Sequence, residues 1–179
     1  MAFLFLLLVI SSKAKNQSQF SFSKCFSMAY PSIYSPETSA QLHARIDRLT
    51  PDTPALWGKM NAAQMLSHCC VPYQQILGEN KDAPGFLMKI VMRLFFKKTM
   101  TNQVDYKPNL PTAPVFIRNS EHDLMKEQIA LKNYIVKIQE LGPEKLAAIP
   151  SLSLGNINAE EWNNMLYKHI DHHLRQFGV

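Results

Sequence analysis

Two histidines one helical turn apart, His169 and His173, are the residues whose type and spacing point most directly to chemistry. At i, i+4 their imidazoles share one face of a helix and can bind one metal ion through Zn–N bonds of roughly 2 Å. A third ligand would have to come from elsewhere. The pair also has a plainer use, because histidines near a helix C-terminus interact with its dipole and cap carbonyls. Spacing alone leaves both readings open. His172 falls about 60° from His169, toward Lys168 and Arg175, which makes it a rim residue and the fallback ligand.

The helix that must carry them runs from Asn158 to Val179. Asn158 can cap it, Glu161 completes a capping box, and Gly178 follows the last apolar residue. At about 100° per residue, Trp162, Leu166, Ile170, His173 and Phe177 form one stripe, edged by Met165 and His169. Asp171 and Glu161 fall on the solvent side, so the helix offers no general base facing the histidines.

Three further helices are legible upstream. The first opens at Ser35-Pro36, carries Leu42, Ile46 and Leu49, and stops at Thr50-Pro51. The second has the start signal Asn61 with Gln64, carries His68, and ends at Gly78. Pro72 cannot donate to the His68 carbonyl, so a kink is expected on the turn that holds that histidine. On this helix alone His68 could equally be an ordinary core histidine, and Cys69 and Cys70 should pack as small hydrophobes. The third runs from Ser120 and Asp123 to Gly142-Pro143 through Leu124, Ile129, Leu131, Ile135, Ile138 and Leu141. Pro143 to Ile157 should be a loop with a short helical turn at Glu144 to Ala148.

Between the second and third helices, Phe86 to Met100 is an extra helical segment in which Lys89, Arg93 and Lys97 recur amid apolar neighbours. Burial with snorkelling lysines suits it better than a membrane surface, so membrane contact is not expected. Pro108, Pro111 and Pro114 make Asn102 to Val115 an extended connector. No strand pattern, repeat, glycine-rich phosphate loop or Ser/His/Asp motif is present.

The chain has 179 residues, 46% hydrophobic and 18% charged, which suits one globular domain with a tail. Its net charge of +5 includes Lys13, Lys15 and Lys24, and the small remainder implies no nucleic-acid partner. Three cysteines, Cys25 and the adjacent Cys69 and Cys70, make no disulfide framework. Residues 1–27 form a separate tail ahead of a 28–179 domain. Phe3 to Ile10 is too short to span a membrane and lacks a preceding positive charge. The tail is either an over-extended start, with a cytoplasmic protein beginning at Met28, or a signal peptide for a secreted or periplasmic one.

Four helices with a histidine on the second and HxxxH on the fourth, followed by Leu174-Arg175-Gln176, resemble the DinB/YfiT-like superfamily of metalloenzymes. Leu56 to Cys69 and Glu160 to Val179 are similar to a bacterial branch described as a domain of unknown function. The resemblance covers about Thr38 to Val179 and implies an all-α, up-down-down-up four-helix bundle. It also implies a divalent metal held by His68, His169 and His173 and facing an open cleft; imidazole suits zinc, nickel, iron and copper alike, so the residue types do not select the ion. Relatives often have a His-Pro pair before the last helix, where this chain has Ser151 to Gly155.

Three neutral imidazoles leave the ion its charge and an open position, which suits acidifying water for hydrolysis or deprotonating a thiol for transfer. Gln64 and Gln176 are candidates to hold the ligands from behind. The expectation is a metal-dependent transferase or hydrolase acting on a small molecule, with a low-molecular-weight thiol as a candidate partner. The alternative is a non-catalytic bundle, with a homodimer joined through its apolar third segment as one form, in which the histidines are structural.

Overall fold

The computed structural model describes residues 30–110 and 116–179. The tail 1–27, with both of its readings, lies outside the described residues, as do Pro111 and Pro114 of the connector. Among the described residues the regular structure is helical, without a strand, and one isolated antiparallel bridge joins Ser151 to Gly155.

Helix α1 (Pro36–Ile46) starts where Ser35 accepts a hydrogen bond from the Thr38 amide, with proline in the first turn. Helix α2 (Ala62–Ile76) opens on a reciprocal capping box between Asn61 and Gln64 and runs on through Pro72. Next come α3 (Phe86–Val91), a π turn (Met92–Phe96) and α4 (Lys97–Thr101). Helix α5 (Leu124–Ala147) is capped by Asp123 and breaks step at Gly142, whose φ of 79° and ψ of 167° only glycine adopts readily. The stop expected at Gly142-Pro143 is therefore a kink, and the turns beyond it include most of the helical turn expected at residues 144–148. Helix α6 (Ala159–Gln176) has a second reciprocal capping box, Asn158 with Glu161, so Glu161 is engaged in holding the helix start.

Helix α5 packs on α1, α2 and α6, and α6 also meets α1, α2 and α4. The core between them includes Leu42, Ile46, Leu66, Leu131, Ile135, Ile138, Leu166 and Leu174. Cys69 and Cys70 are free and buried, and burial pushes the Cys70 thiol up to about 12, so both pack as inert hydrophobes. Ile129, expected on the buried stripe of α5, is instead exposed.

Two larger expectations are corrected. The segment 86–100 is not buried around its circumference: Phe86, Leu87, Leu94 and Phe95 face outward, and Met92 alone among its apolar residues is fully buried. Helix α6 does not keep a polar outer face. Asn163, Asn164, Lys168, His172 and Gln176 are buried as well as its apolar stripe. His172 is thus no rim residue: Trp57, from the loop before α2, and Tyr106, after α4, close over the side that a helical wheel assigns to solvent.

These buried polar groups attach the rest of the chain to α6. Asn163 accepts from the Ile33 amide at 2.7 Å, and Asn164 donates to the Thr101 carbonyl at 3.0 Å. Lys168 is fully buried, and its three ammonium hydrogens are shared among the carbonyls of Thr99, Asn102 and Val104 and Asn102 Oδ1, all at 2.8–3.1 Å. It also lies 4.6 Å from the Tyr106 ring centre. Burial lowers its pKa to about 8, leaving it mostly protonated at neutral pH, as its four acceptors require. Replacement by methionine leaves those acceptors unpaired, and Lys168→Met is expected to lose about 1–3 kcal/mol in denaturant unfolding.

Candidate metal centre

Helix α2 brings His68 against the C-terminal turns of α6, where His169 and His173 stand. The three ring centres are 4.8–4.9 Å apart, and one nitrogen from each ring falls within 4.8 Å of the other two. His68 Nε2 and His169 Nε2 are 3.0 Å apart. At that distance the two share a hydrogen, His169 Nε2 donating to His68 Nε2; nitrogens bound tetrahedrally at 2.0–2.1 Å would be separated by about 3.3 Å, so exchanging that hydrogen for an ion would part the rings only slightly. The cluster could hold a metal ion.

Hydrogen bonds behind the rings decide which nitrogens are free. His68 Nδ1 lies 2.9 Å from the Phe116 carbonyl, an acceptor only, so Nδ1 carries the proton and Nε2 keeps its lone pair. Gln176 Nε2 donates to the Trp57 carbonyl at 2.6 Å, which turns its Oε1 toward His173 Nδ1, 2.8 Å away. That nitrogen must then donate, and His173 Nε2 is left with its lone pair. Gly58 makes the arrangement possible: it has φ +83°, and a Cβ there would come within 2.5 Å of Gln176 Nε2. The Leu56 amide donates to the Gln176 carbonyl at 2.8 Å, fastening the same loop to the end of α6.

Burial keeps all three imidazoles neutral, the form that binds metal. It is the first cause of the lowered pKa of His68 and His169, reinforced at His169 by the other histidines, and it pushes His173 down to about 3. Among the described residues no carboxylate joins the cluster. Asp171 pairs with Arg45 at 2.7 Å and Arg175 at 2.9 Å, which holds it away from the histidines.

His68 and His169 also line a cavity of about 80 Å³, walled mainly by apolar side chains such as Val71, Met92, Met100, Leu154 and Met165. Ser151 and Ser153, from the loop before α6, contribute to its wall. Gln176 stands directly behind a candidate ligand. Gln64 does not: its amide is used in the α2 capping box and on the Ser120 carbonyl. His172, the fallback ligand, lies outside the cluster, packed against Trp57 and Tyr106 with ring centres 5.7 Å away in each case. Sequence reasoning misses Trp57, Gly58, Tyr106 and Phe116. The one available signal is glycine in the turn after Trp57, since a backbone carbonyl such as that of Phe116 has no residue type to mark it.

The lowered histidine values set a pH dependence for the metal-free protein. An unfolded histidine takes up a proton near pH 6.5, whereas His173 resists until about 3, so the stabilising contribution is complete above 6.5 and lost as the pH falls toward 3. Urea unfolding in a chelator is expected to show stability falling below pH 6.5 by about 1.4 kcal/mol per pH unit for each histidine held neutral. His173→Leu should flatten that slope.

No curated protein and no solved structure matches the chain. A family model described as "Protein of unknown function (DUF1569)" matches residues 36–178, which include all three clustered histidines and both loops that support them. The chain belongs to this family of unknown function.

Proposed function

We propose that this protein is a divalent-metal-dependent enzyme acting on a small molecule, with the ion on His68, His169 and His173. In this reading α1, α2, α5 and α6 form a DinB/YfiT-like, up-down-down-up four-helix bundle, and α3 to α4 is its insertion. The observation that carries the proposal is the set of three convergent neutral imidazoles, two of them fixed in tautomer by Phe116 and Gln176, beside an apolar cavity. A structural bundle has no need to press three imidazoles against one another, two of them buried, where the neighbours of His169 disfavour its protonation.

Zinc, nickel or iron would supply a Lewis acid that lowers the pKa of an oxygen or sulfur donor. The protein's own contribution is to present neutral nitrogens, to orient two rings from behind, and to exclude water with methionine and aliphatic side chains. Among the described residues no carboxylate lines the cavity to take a proton from water. A bound thiol and a bound water would each have to release their proton to solvent, so this lining suits transfer involving a low-molecular-weight thiol as well as hydrolysis.

Metal analysis by mass spectrometry on protein purified without a metal-binding tag is expected to find near-stoichiometric metal. The His169→Ala, His173→Ala double variant should contain none. Equal trace amounts in both, persisting after incubation with excess zinc, nickel or iron, would sink the proposal. Gln176→Leu should retain the site but weaken metal affinity by about 10- to 100-fold in a chelator competition.

A further inference from the structure

We infer that the outer face of the segment 86–101 docks on an anionic lipid surface. This segment has two unlike sides. Met92 and Met100 point inward as part of the cavity wall, whereas Phe86 (82% exposed), Leu87 (74%), Leu94 (72%) and Phe95 (69%) stand in solvent. Met88, Ile90 and Phe96 are exposed beside them. So many adjacent large apolar side chains are unusual on a soluble surface.

Charge and shape together choose the occupant. The stretch FLMKIVMRLFFKKTMT contains Lys89, Arg93, Lys97 and Lys98 and no acidic residue. A symmetric second copy would set these cations against their equivalents, which is repulsive. A groove that receives a helix reads a stripe at i, i+3 or i+4, but here consecutive residues are exposed, 86–88 and again 94–96. A lipid interface accepts a band of that breadth, with Lys89 and Lys98 reaching to phosphate while Lys97 is held on the Asn156 carbonyl. The segment is about 24 Å long at helical rise, and no described helix is long and apolar enough to cross a membrane, so it lies on the surface. Its exposure removes the reason, burial of the whole segment, for expecting no membrane contact.

The test is co-sedimentation of the full chain with vesicles of phosphatidylcholine alone and of equal parts phosphatidylcholine and phosphatidylglycerol. Binding is expected to the anionic vesicles, to weaken with salt, and to fall by about fivefold for each basic residue replaced, beginning with Lys89→Gln and Lys98→Gln. Leu94→Asp with Phe95→Asp should abolish it without lowering thermal stability, since both side chains are already in solvent. The apolar run at residues 3–10 is common to all variants and cannot produce a difference between them. Absence of binding to the anionic vesicles, equal binding to both vesicle types, or undiminished binding of the Leu94→Asp, Phe95→Asp variant would each overturn the inference. Self-association that the same variant abolishes, without vesicle binding, would give the face to a second copy instead.

Discussion

A helix enclosed on nearly every side must find a partner for each polar side chain it carries, because an unpaired buried donor costs more than its hydrogen bond would have gained. Helix α6 is in that position, and of its buried side-chain atoms Asn164 Oδ1 is left without a partner. Asn163 holds the chain entering α1, Asn164 and Lys168 hold the end of α4 and the loop beyond it, and Gln176 holds the loop before α2. The connections that wall the histidine cluster are thereby fixed to the same helix that supplies two of its members.

The cluster uses its hydrogen bonds in the same way. A carboxamide can serve two partners with opposite needs, and Gln176 gives hydrogen to a carbonyl while accepting it from His173. The direction of the first bond dictates the second, so the tautomer of one imidazole is determined by the peptide group of Trp57, far earlier in the chain. His68 is fixed more simply, by the Phe116 carbonyl.

Much of this is legible in the sequence because its signals are local. The caps Ser35, Asn61 and Asn158 each declare a helix through the spacing of two or three residues and stand where expected, while of Ser120 and Asp123, expected to start α5, Asp123 caps it and Ser120 lies ahead of it. The HxxxH pair is likewise a property of one helix. A wheel misplaces Lys168 and His172 because it assigns faces by hydrophobicity, while their burial comes from loops distant in sequence. The segment 86–96 is misplaced in the opposite sense: apolar content suggests burial, yet what is missing is a packing partner on the outer side. Gln64 has the right residue type for supporting a ligand, but its capping role takes the amide first.

The π turn (Met92–Phe96) bears on how this segment can vary. A π turn accommodates one residue more than the α-helix around it and so shifts by one which residues fall on each face beyond it. Excising a single residue there would restore regular α geometry and leave the downstream end facing nearly as before, whereas a deletion in the α turns beside it would rotate that end by about 100°. A deletion in those flanking turns would swing Lys97 away from the Asn156 carbonyl, or Thr101 away from Asn164. Length in this segment is therefore under tighter restraint outside the π turn than within it: most of its exposed side chains can be exchanged without touching the core, but a one-residue deletion in the flanking α turns would unseat the wall of the cavity.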